Sequence, residues 1–152
     1  MALRNIVKLG DPILNKPSRP VDAFDEKLWA LLDDMYQTMK KEEGVGLAAV
    51  QVGVLKRVVV IDIGEGRMEL VNPVITKSSG VQKEQEGCLS LPGRYAVTKR
   101  PSRVQVKAQD RRGKWHIYTG EGLKARAFCH ELDHLDGILF TSHIVKDTEG
   151  KS

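Results

Sequence analysis

The C-terminal part of the chain carries two histidines and a glutamate at a spacing that suits metal-assisted hydrolysis. His130, Glu131 and His134 form an H-E-x-x-H pattern. Residues four apart lie on one face of an α-helix, so both imidazoles can bind one divalent ion. The ion would lower the pKa of a bound water, and Glu131 would accept its proton. The pattern alone also fits two histidines on a helix surface, but apolar residues on both sides favour burial and therefore a metal site.

Cys88 is the best candidate for a third metal ligand. It follows Gly87, which permits close backbone approach, and it precedes Pro92 and Gly93, which predict a turn. The sequence therefore predicts a thiol presented from a constrained loop. A site made of one cysteine and two histidines keeps a fourth position open for water or substrate, as catalytic sites do.

The other candidate ligands fit less well. An extended form of the pattern has a third histidine at the position that Phe140 occupies in this chain. His116 and His143 lie outside that register, and we interpret both as surface or packing residues. Cys129, next to His130 on the same helix, would point about 100° away from it and is interpreted as part of the core.

A third segment, residues 44–53, reads G-V-G-L-A-A-V-Q-V-G. Its small residues would allow a backbone to pass close to a ligand, and Gln51 supplies an amide donor. Glycine after a helix is also an ordinary cap. By itself the segment therefore indicates a helix end more than a binding site.

Two helices would position these groups. Apolar residues at helical spacing predict one helix over residues 24–41, with Asp22 or Asp25 as its cap and Gly44 as its end. The same spacing predicts a second helix over residues 122–135, and this helix carries the H-E-x-x-H pattern.

The strand signals lie between the two helices. Residues 58–61 predict a buried strand that turns back into 68–71, and residues 104–106 predict another that turns into 114–118. The proline-containing residues 9–21 predict an ordered loop. The expected fold class is α+β, with antiparallel β-sheets packed around a central C-terminal helix and an additional N-terminal helix.

Length, composition and charge set the limits of the interpretation. The 152 residues have an average globular composition and predict a single domain, residues 1–152.

No segment approaches the ~20 apolar residues of a membrane span, and the N-terminus lacks a signal peptide, so we expect a cytoplasmic protein without membrane contact. The net charge is +4, but the basic residues are scattered and not interleaved with aromatic residues. That distribution argues against sequence-specific nucleic-acid binding.

Taken together, three segments resemble the motifs of the peptide deformylase family. They read G-V-G-L-A-A-V-Q-V-G at 44–53, E-G-C-L-S-L-P at 86–92 and H-E-L-D-H at 130–134, in the order typical of that family. The likeness extends to L-G-D-P-I-L near the N-terminus. Members of the family remove the formyl group from the N-terminal methionine of new polypeptides and release formate. The resemblance therefore implies a hydrolase of linear amides that acts in protein biosynthesis on N-formylmethionyl nascent peptides.

The resemblance also implies roles for the matched residues. Cys88, His130 and His134 would hold the metal. Glu131 would act as general acid and base toward a hydroxide held on that metal. Ferrous iron would be the working ion, with zinc, nickel or cobalt as substitutes, because cysteine and histidine suit several of these metals.

Further residues would bind and orient the substrate. Gln51 and the backbone N–H of Leu89 would stabilise the oxyanion. Five residues would line the substrate cleft: Val45, Gly46, Glu86, Gly87 and Leu123. The resemblance also implies a structural ion pair between Asp133 and Arg100.

The chain departs from the family pattern in two places. The family commonly has glutamine where this chain has Cys129, a position off the predicted ligand face. Some members end in a long helix that docks on the ribosome, whereas this chain ends with residues 146–152. We therefore expect any contact with the ribosome to be transient. We also expect a monomer.

Two other functions remain open when the residues are considered without the resemblance. An H-E-x-x-H endoprotease would need a downstream glutamate or histidine as its third ligand. A non-enzymatic metal-binding or RNA-binding protein would hold its ligand without hydrolysis. Neither function explains why the three segments occur in one chain.

Overall fold

The computed structural model describes residues 2–145. This part of the chain contains two α-helices and seven strands: α1 Glu26–Lys41, β1 Gly46–Ala48, β2 Val58–Ile61, β3 Met68–Ser79, β4 Gln82–Cys88, β5 Leu91–Arg100, β6 Arg103–Gln109, β7 Trp115–Glu121 and α2 Leu123–Leu135. Short 3-10 helices span Pro12–Asn15, Ala49–Val52 and Phe140–His143. The predicted α+β class is confirmed. Residues 146–152, on which the prediction about ribosome contact depends, lie outside the described residues.

The strands form one five-stranded sheet and one ribbon. The sheet has the order β1-β2-β3-β6-β7 with antiparallel neighbours, and β4 pairs only with β5 among the described strands. The predicted hairpins are therefore confirmed as β2–β3 and β6–β7, although β3 extends further than predicted. Strands β1, β4 and β5 were not predicted.

Strand β2 explains how the two helices flank the sheet. Side chains alternate between the faces of a strand. Val59 and Ile61 pack in the cluster that contains the buried residues of α2, whereas Val58 and Val60 pack with the buried residues of α1. The uninterrupted apolar run of β2 thus reflects burial on both faces. Helix α2 also contacts β1, β5, β6 and β7, so its predicted central position is confirmed.

Helix α1 begins two residues later than predicted, at Glu26, and ends at Lys41 as predicted. The Asp25 side chain accepts a hydrogen bond from the Leu28 N–H at 3.2 Å and caps the first turn. Gly44 donates its N–H to Met39 O at 2.9 Å in the last turn, but the left-handed conformation that turns the chain belongs to Glu43, with φ of 58°. Gly44 has a different constraint: a methyl group there would lie 2.7 Å from Leu89 Cδ1.

The loop predicted around Cys88 is also different. Cys88 is the last residue of β4, the turn is formed by residues 89–90, and Pro92 and Gly93 lie inside β5. The sequence did not predict a strand here because apolar and polar residues do not alternate around Pro92. The strand β5 is formed by its pairing with β4. In residues 2–145, no helix is long and apolar enough to cross a membrane.

Candidate active site

Helix α2 and the end of β4 bring three metal-binding side chains together. His130 and His134 lie one turn apart, and their Nε2 atoms are 3.2 Å from each other. Cys88 Sγ lies 3.3 Å from His134 Nε2. The three ligand atoms all lie within 4.8 Å of one another. Helical spacing accounts for the histidine pair, but the approach of Cys88 depends on how the β4–β5 ribbon packs against α2.

These distances fit a divalent ion with tetrahedral ligands. At ordinary bond lengths such an ion separates its nitrogen and sulfur ligand atoms by about 3.3–3.6 Å. Burial and the neighbouring His130 lower the pKa of His134, which keeps its imidazole neutral and able to bind metal. Three ligands leave one position of a tetrahedron open, which is the arrangement of a catalytic site.

Glu86 orients the first histidine. Its Oε2 lies 2.5 Å from His130 Nδ1, so that nitrogen donates to the carboxylate and Nε2 is the ring atom left to face the metal position. Arg100 donates to both oxygens of Glu86, and Thr98 donates to Oε1. Burial alone would raise the pKa of Glu86, but the bonds from His130 and Arg100 outweigh it and hold the pKa at about 2. Glu86 therefore remains an ionised acceptor.

Gln51 has a fixed amide orientation beside the thiol. The Ala48 N–H donates to Gln51 Oε1 at 2.9 Å, which assigns the oxygen and leaves Nε2 on the other side. That nitrogen lies 3.1 Å from Ser90 Oγ and 3.4 Å from Cys88 Sγ. The 3-10 helix Ala49–Val52 makes this geometry possible, because it folds the side chain back onto the start of its own turn.

Glu131 is buried next to the ligands. Burial raises its pKa to about 7, so the carboxyl group can both accept and donate a proton near neutral pH. Its Oε1 atom is shielded from solvent and forms no hydrogen bond with the part of the chain from 2 to 145. Gly46 on β1 approaches it so closely that a Cβ there would lie 2.6 Å from Glu131 Oε2. The strand edge therefore leaves room for this carboxylate only because residue 46 is glycine.

We predict that Gly46→Ala lowers turnover by roughly 100-fold, because a displacement of about 1 Å at a catalytic group has effects of that size. The new methyl group would push Glu131 out of place, because the three heavy atoms nearest to it all belong to that side chain. Steady-state kinetics at saturating metal, with metal content measured on the same sample, tests this. Normal turnover in a variant that binds metal would contradict the assigned position of Glu131.

Comparison with known proteins identifies the family. The family model described as polypeptide deformylase matches residues 3–149. The peptide deformylase of Alkaliphilus metalliredigens is 54% identical over 147 residues, which cover 97% of this chain and 100% of that protein. The chain belongs to the peptide deformylase family. The peptide deformylase of Acetivibrio thermocellus is similarly close, with 56% identity over 146 residues that cover 96% of this chain and 86% of that protein.

A solved structure supports the same assignment. The crystal structure of peptide deformylase from Thermotoga maritima superposes with a TM-score of 0.92 at 40% identity and covers 94% of this chain and 98% of that one. The predicted family, fold and enzyme class are confirmed. An endoprotease would need another downstream ligand, but among residues 2–145 the metal-binding group consists of Cys88, His130 and His134.

The predicted substrate-binding residues of this deformylase-family chain share one cleft. Its volume is about 440 Å³, and it reaches from the ligands to the protein surface. All of the predicted cleft and oxyanion residues line it: Val45, Gly46, Gln51, Glu86, Gly87, Leu89 and Leu123. The structure therefore brings these residues together, while their individual roles remain predictions.

Sequence reasoning missed several residues of the cleft. Arg126 lies one turn before His130 on α2, and its Nη1 donates to Gln85 O at 3.3 Å. Arg126 could have been predicted from the sequence, because a residue four positions before His130 lies on the same face of the helix. Tyr95 covers Gly87, where an added Cβ would lie 2.5 Å from the ring. No local signal pointed to Tyr95, because its position depends on the register of β4 and β5.

The remaining histidines and the second cysteine lie outside the ligand group, as predicted. His116 Nε2, on β7, lies 2.8 Å from Asp110 Oδ2, just after β6. Cys129 is buried in the core, and burial raises its pKa to about 11, so its thiol stays protonated. The predicted ion pair of Asp133 is confirmed, with Arg100 Nη1 at 2.7 Å from Oδ2.

Proposed function

We propose that this chain hydrolyses the N-terminal formyl group of formylmethionyl nascent peptides and releases formate. The observation that carries the proposal is the convergence of three metal-binding atoms, from Cys88, His130 and His134, at the inner end of an open cleft. Membership of the peptide deformylase family supports the same reaction. The hydrolysed bond is the amide between the formyl carbon and the methionine nitrogen.

Cys88, His130 and His134 are the proposed metal ligands. When bound, a divalent cation supplies Lewis acidity that activates water for attack on the formyl carbon. Glu86 holds the His130 ring in the orientation that binding requires, because outer partners fix the tautomer of a ligand histidine. Ferrous iron is the proposed working ion, and zinc, nickel and cobalt are proposed substitutes, since all of them accept imidazole and thiolate ligands.

Glu131 is the proposed general acid and base. Its carboxylate accepts a proton from the attacking water and then gives that proton to the methionine nitrogen as the C–N bond breaks. A pKa of about 7 suits both steps, because a group titrating near the working pH can take up and release a proton readily. The products are formate and a peptide with a free amino terminus.

Gln51 and the Leu89 backbone N–H are the proposed oxyanion donors. The hydrogen bond from Ala48 directs the Gln51 Nε2 group toward the ligands, so no reorientation is needed when charge develops on the formyl oxygen. Leu89 follows Cys88 directly and lines the same cleft, which supports its backbone N–H as the second donor. Loss of one such donor typically slows acyl-transfer enzymes by roughly 10²- to 10³-fold.

The peptide is proposed to bind as an extended strand. Strand β1 is an edge of the main sheet and β4 is an edge of the ribbon, and Gly46 and Gly87 on these strands both line the cleft. Backbone groups on such edges can pair with a peptide main chain. Val45 and Leu123, both exposed apolar residues of the cleft, are the proposed contacts for the methionine side chain.

We also propose that the chain acts as a single-domain monomer over residues 1–152. Its proposed location is the cytoplasm, where nascent chains emerge. Contact with the ribosome would be transient. The basic residues are scattered along the sequence and are not interleaved with aromatic residues. This distribution argues against specific nucleic-acid binding.

Formate release is the direct test. Protein purified without oxygen is incubated with a formyl-methionyl tripeptide, formate is measured, and metal content is determined on the same sample. We expect formate in proportion to bound metal and no acetate from the matched acetyl-methionyl tripeptide. Metal-loaded protein that releases no formate would contradict the proposal, and mass spectra that show internal cleavage instead would indicate a protease.

A further inference from the structure

We infer that residues 7–9, called here the N-terminal segment, position the two proposed oxyanion donors, the Gln51 amide and the Leu89 N–H. The inference rests on the proposed function, because both donors belong to the proposed reaction. Val7 and Leu9 are the positioning residues, since they act through backbone hydrogen bonds to other residues of the site. No step of the proposed reaction uses this segment directly.

Val7 restrains the backbone of Gln51. The Val7 N–H donates to Gln51 O at 2.7 Å. Gln51 lies in the short 3-10 helix Ala49–Val52, and the last carbonyls of a helix lack partners within it. The side chain of Gln51 is already fixed by the Ala48 N–H. The bond from Val7 therefore adds a restraint on the main chain that carries this amide.

Leu9 restrains the turn that carries Leu89. Residues 89 and 90 form a two-residue turn between β4 and β5, closed by the pairing of Cys88 with Leu91. The Leu9 N–H donates to Ser90 O at 2.8 Å. Ser90 is fully buried, so its carbonyl needs a partner from the protein. In so short a turn, movement of the Ser90 carbonyl also reorients the adjacent peptide group that bears the Leu89 N–H.

Two side-chain contacts connect the same groups. Gln51 Nε2 donates to Ser90 Oγ at 3.1 Å and so joins one proposed donor to the turn that carries the other. Lys8 Nζ donates to Leu89 O at 3.3 Å, although this longer contact is exposed to water and restrains the turn less. Three consecutive residues of the chain thus bond to Gln51, Leu89 and Ser90.

The expected consequence is a faster chemical step. Donors stabilise an oxyanion best when they are fixed before the charge develops, because no reorganisation is then needed. Loss of one bond from the segment leaves both donors present but less well placed. We therefore expect a fall in kcat of roughly 10-fold, less than the 10²-fold that a displacement of about 1 Å can cause. The value of KM should stay the same, because the interaction with the oxyanion is made only in the transition state.

Leu9→Pro tests the inference, because it removes the N–H that bonds to Ser90 and suits the local turn. Residues 8–11 form a turn in which the Asp11 N–H donates to Lys8 O at 3.2 Å and Gly10 has φ of 106°. These features match a type II turn, which favours proline at its second position, the place of Leu9. With metal-saturated protein and a formyl-methionyl tripeptide, we expect a kcat roughly 10-fold lower, with KM and metal content unchanged.

Leu9→Ala is the matched control, because it keeps the N–H and changes only a side chain that is 47% exposed. Its kcat should equal that of the unaltered protein. A second form of the protein carries the α-hydroxy acid analogue of leucine at position 9, which replaces the N–H with an oxygen and keeps the side chain. It should show the same loss of kcat as Leu9→Pro.

The melting temperature and the metal content of each protein are measured alongside the kinetics. A normal kcat in the α-hydroxy acid form would overturn the inference and leave the proposed function intact. A lower kcat that is accounted for by lost metal or by unfolded protein would also overturn it, because the role of the segment would then be structural. An unaltered protein that holds metal but releases no formate would instead overturn the proposed function.

Discussion

Glu131→Gln is expected to lower turnover by roughly 10²- to 10⁴-fold while the protein keeps its metal, since general acid and base groups typically contribute that much. Glutamine has nearly the shape of glutamate but cannot carry the proton between water and the leaving amine. Glu131 is not a member of the ligand group, so the site for the ion stays intact. Formate release and metal content, measured together, separate the loss of proton transfer from the loss of metal.

Asp136→Asn provides a matched control for this variant. Asp136 caps the end of the same helix, is exposed, and pairs with Arg57 away from the cleft. The same change from acid to amide should there leave turnover near that of the unaltered protein. If the Glu131 variant retained both its metal and normal turnover, another group would have to move the proton, and the proposed mechanism would be wrong.

The second large effect is expected at Cys88. Cys88→Ala removes one of three ligands, so metal affinity should fall by more than the 10- to 100-fold typical of losing an outer partner, and formate release should fall with it. The fold should persist, because Cys88 lies at the end of the ribbon and only borders a core cluster. Metal content after gel filtration and turnover with added metal are the measurements.

Cys129→Ala is the corresponding control at the second thiol. Cys129 is part of the core between α2 and the sheet, and its raised pKa keeps it protonated. Its replacement should leave metal content unchanged and lower the free energy of unfolding by about 1 kcal/mol, the usual effect of removing one buried heavy atom. If the Cys129 variant lost metal and the Cys88 variant kept it, the proposed ligand set would be wrong.

Features that depend on neighbouring residues were predictable from the sequence. The two helices follow from apolar spacing, and the pairing of His130 with His134 follows from four-residue spacing on one of them. The β-branched run of β2 marked a buried strand for a similar reason. Cys88 was selected by its chemistry and by the family resemblance, although the loop predicted around it proved to be a strand end.

Only the tertiary structure decided how distant segments meet at the site. Strands β4 and β5 have a mixed composition, so their pairing could not be inferred from alternation, and this pairing places Tyr95 over Gly87 and Arg100 beside Glu86. The stacking of Phe140 on His130 likewise joins two elements separated by a turn.

The sequence predicted some features of the site and not others for a physical reason. Helical spacing is a property of covalently neighbouring residues, so the sequence by itself determined the histidine pair, the adjacent glutamate and the helix that carries them. The approach of Cys88, the contact between His130 and Glu86, and the ion pairs of Arg100 depend on packing between segments far apart in the chain. These contacts are selected by burial and charge compensation in the folded state, which only the three-dimensional arrangement reveals.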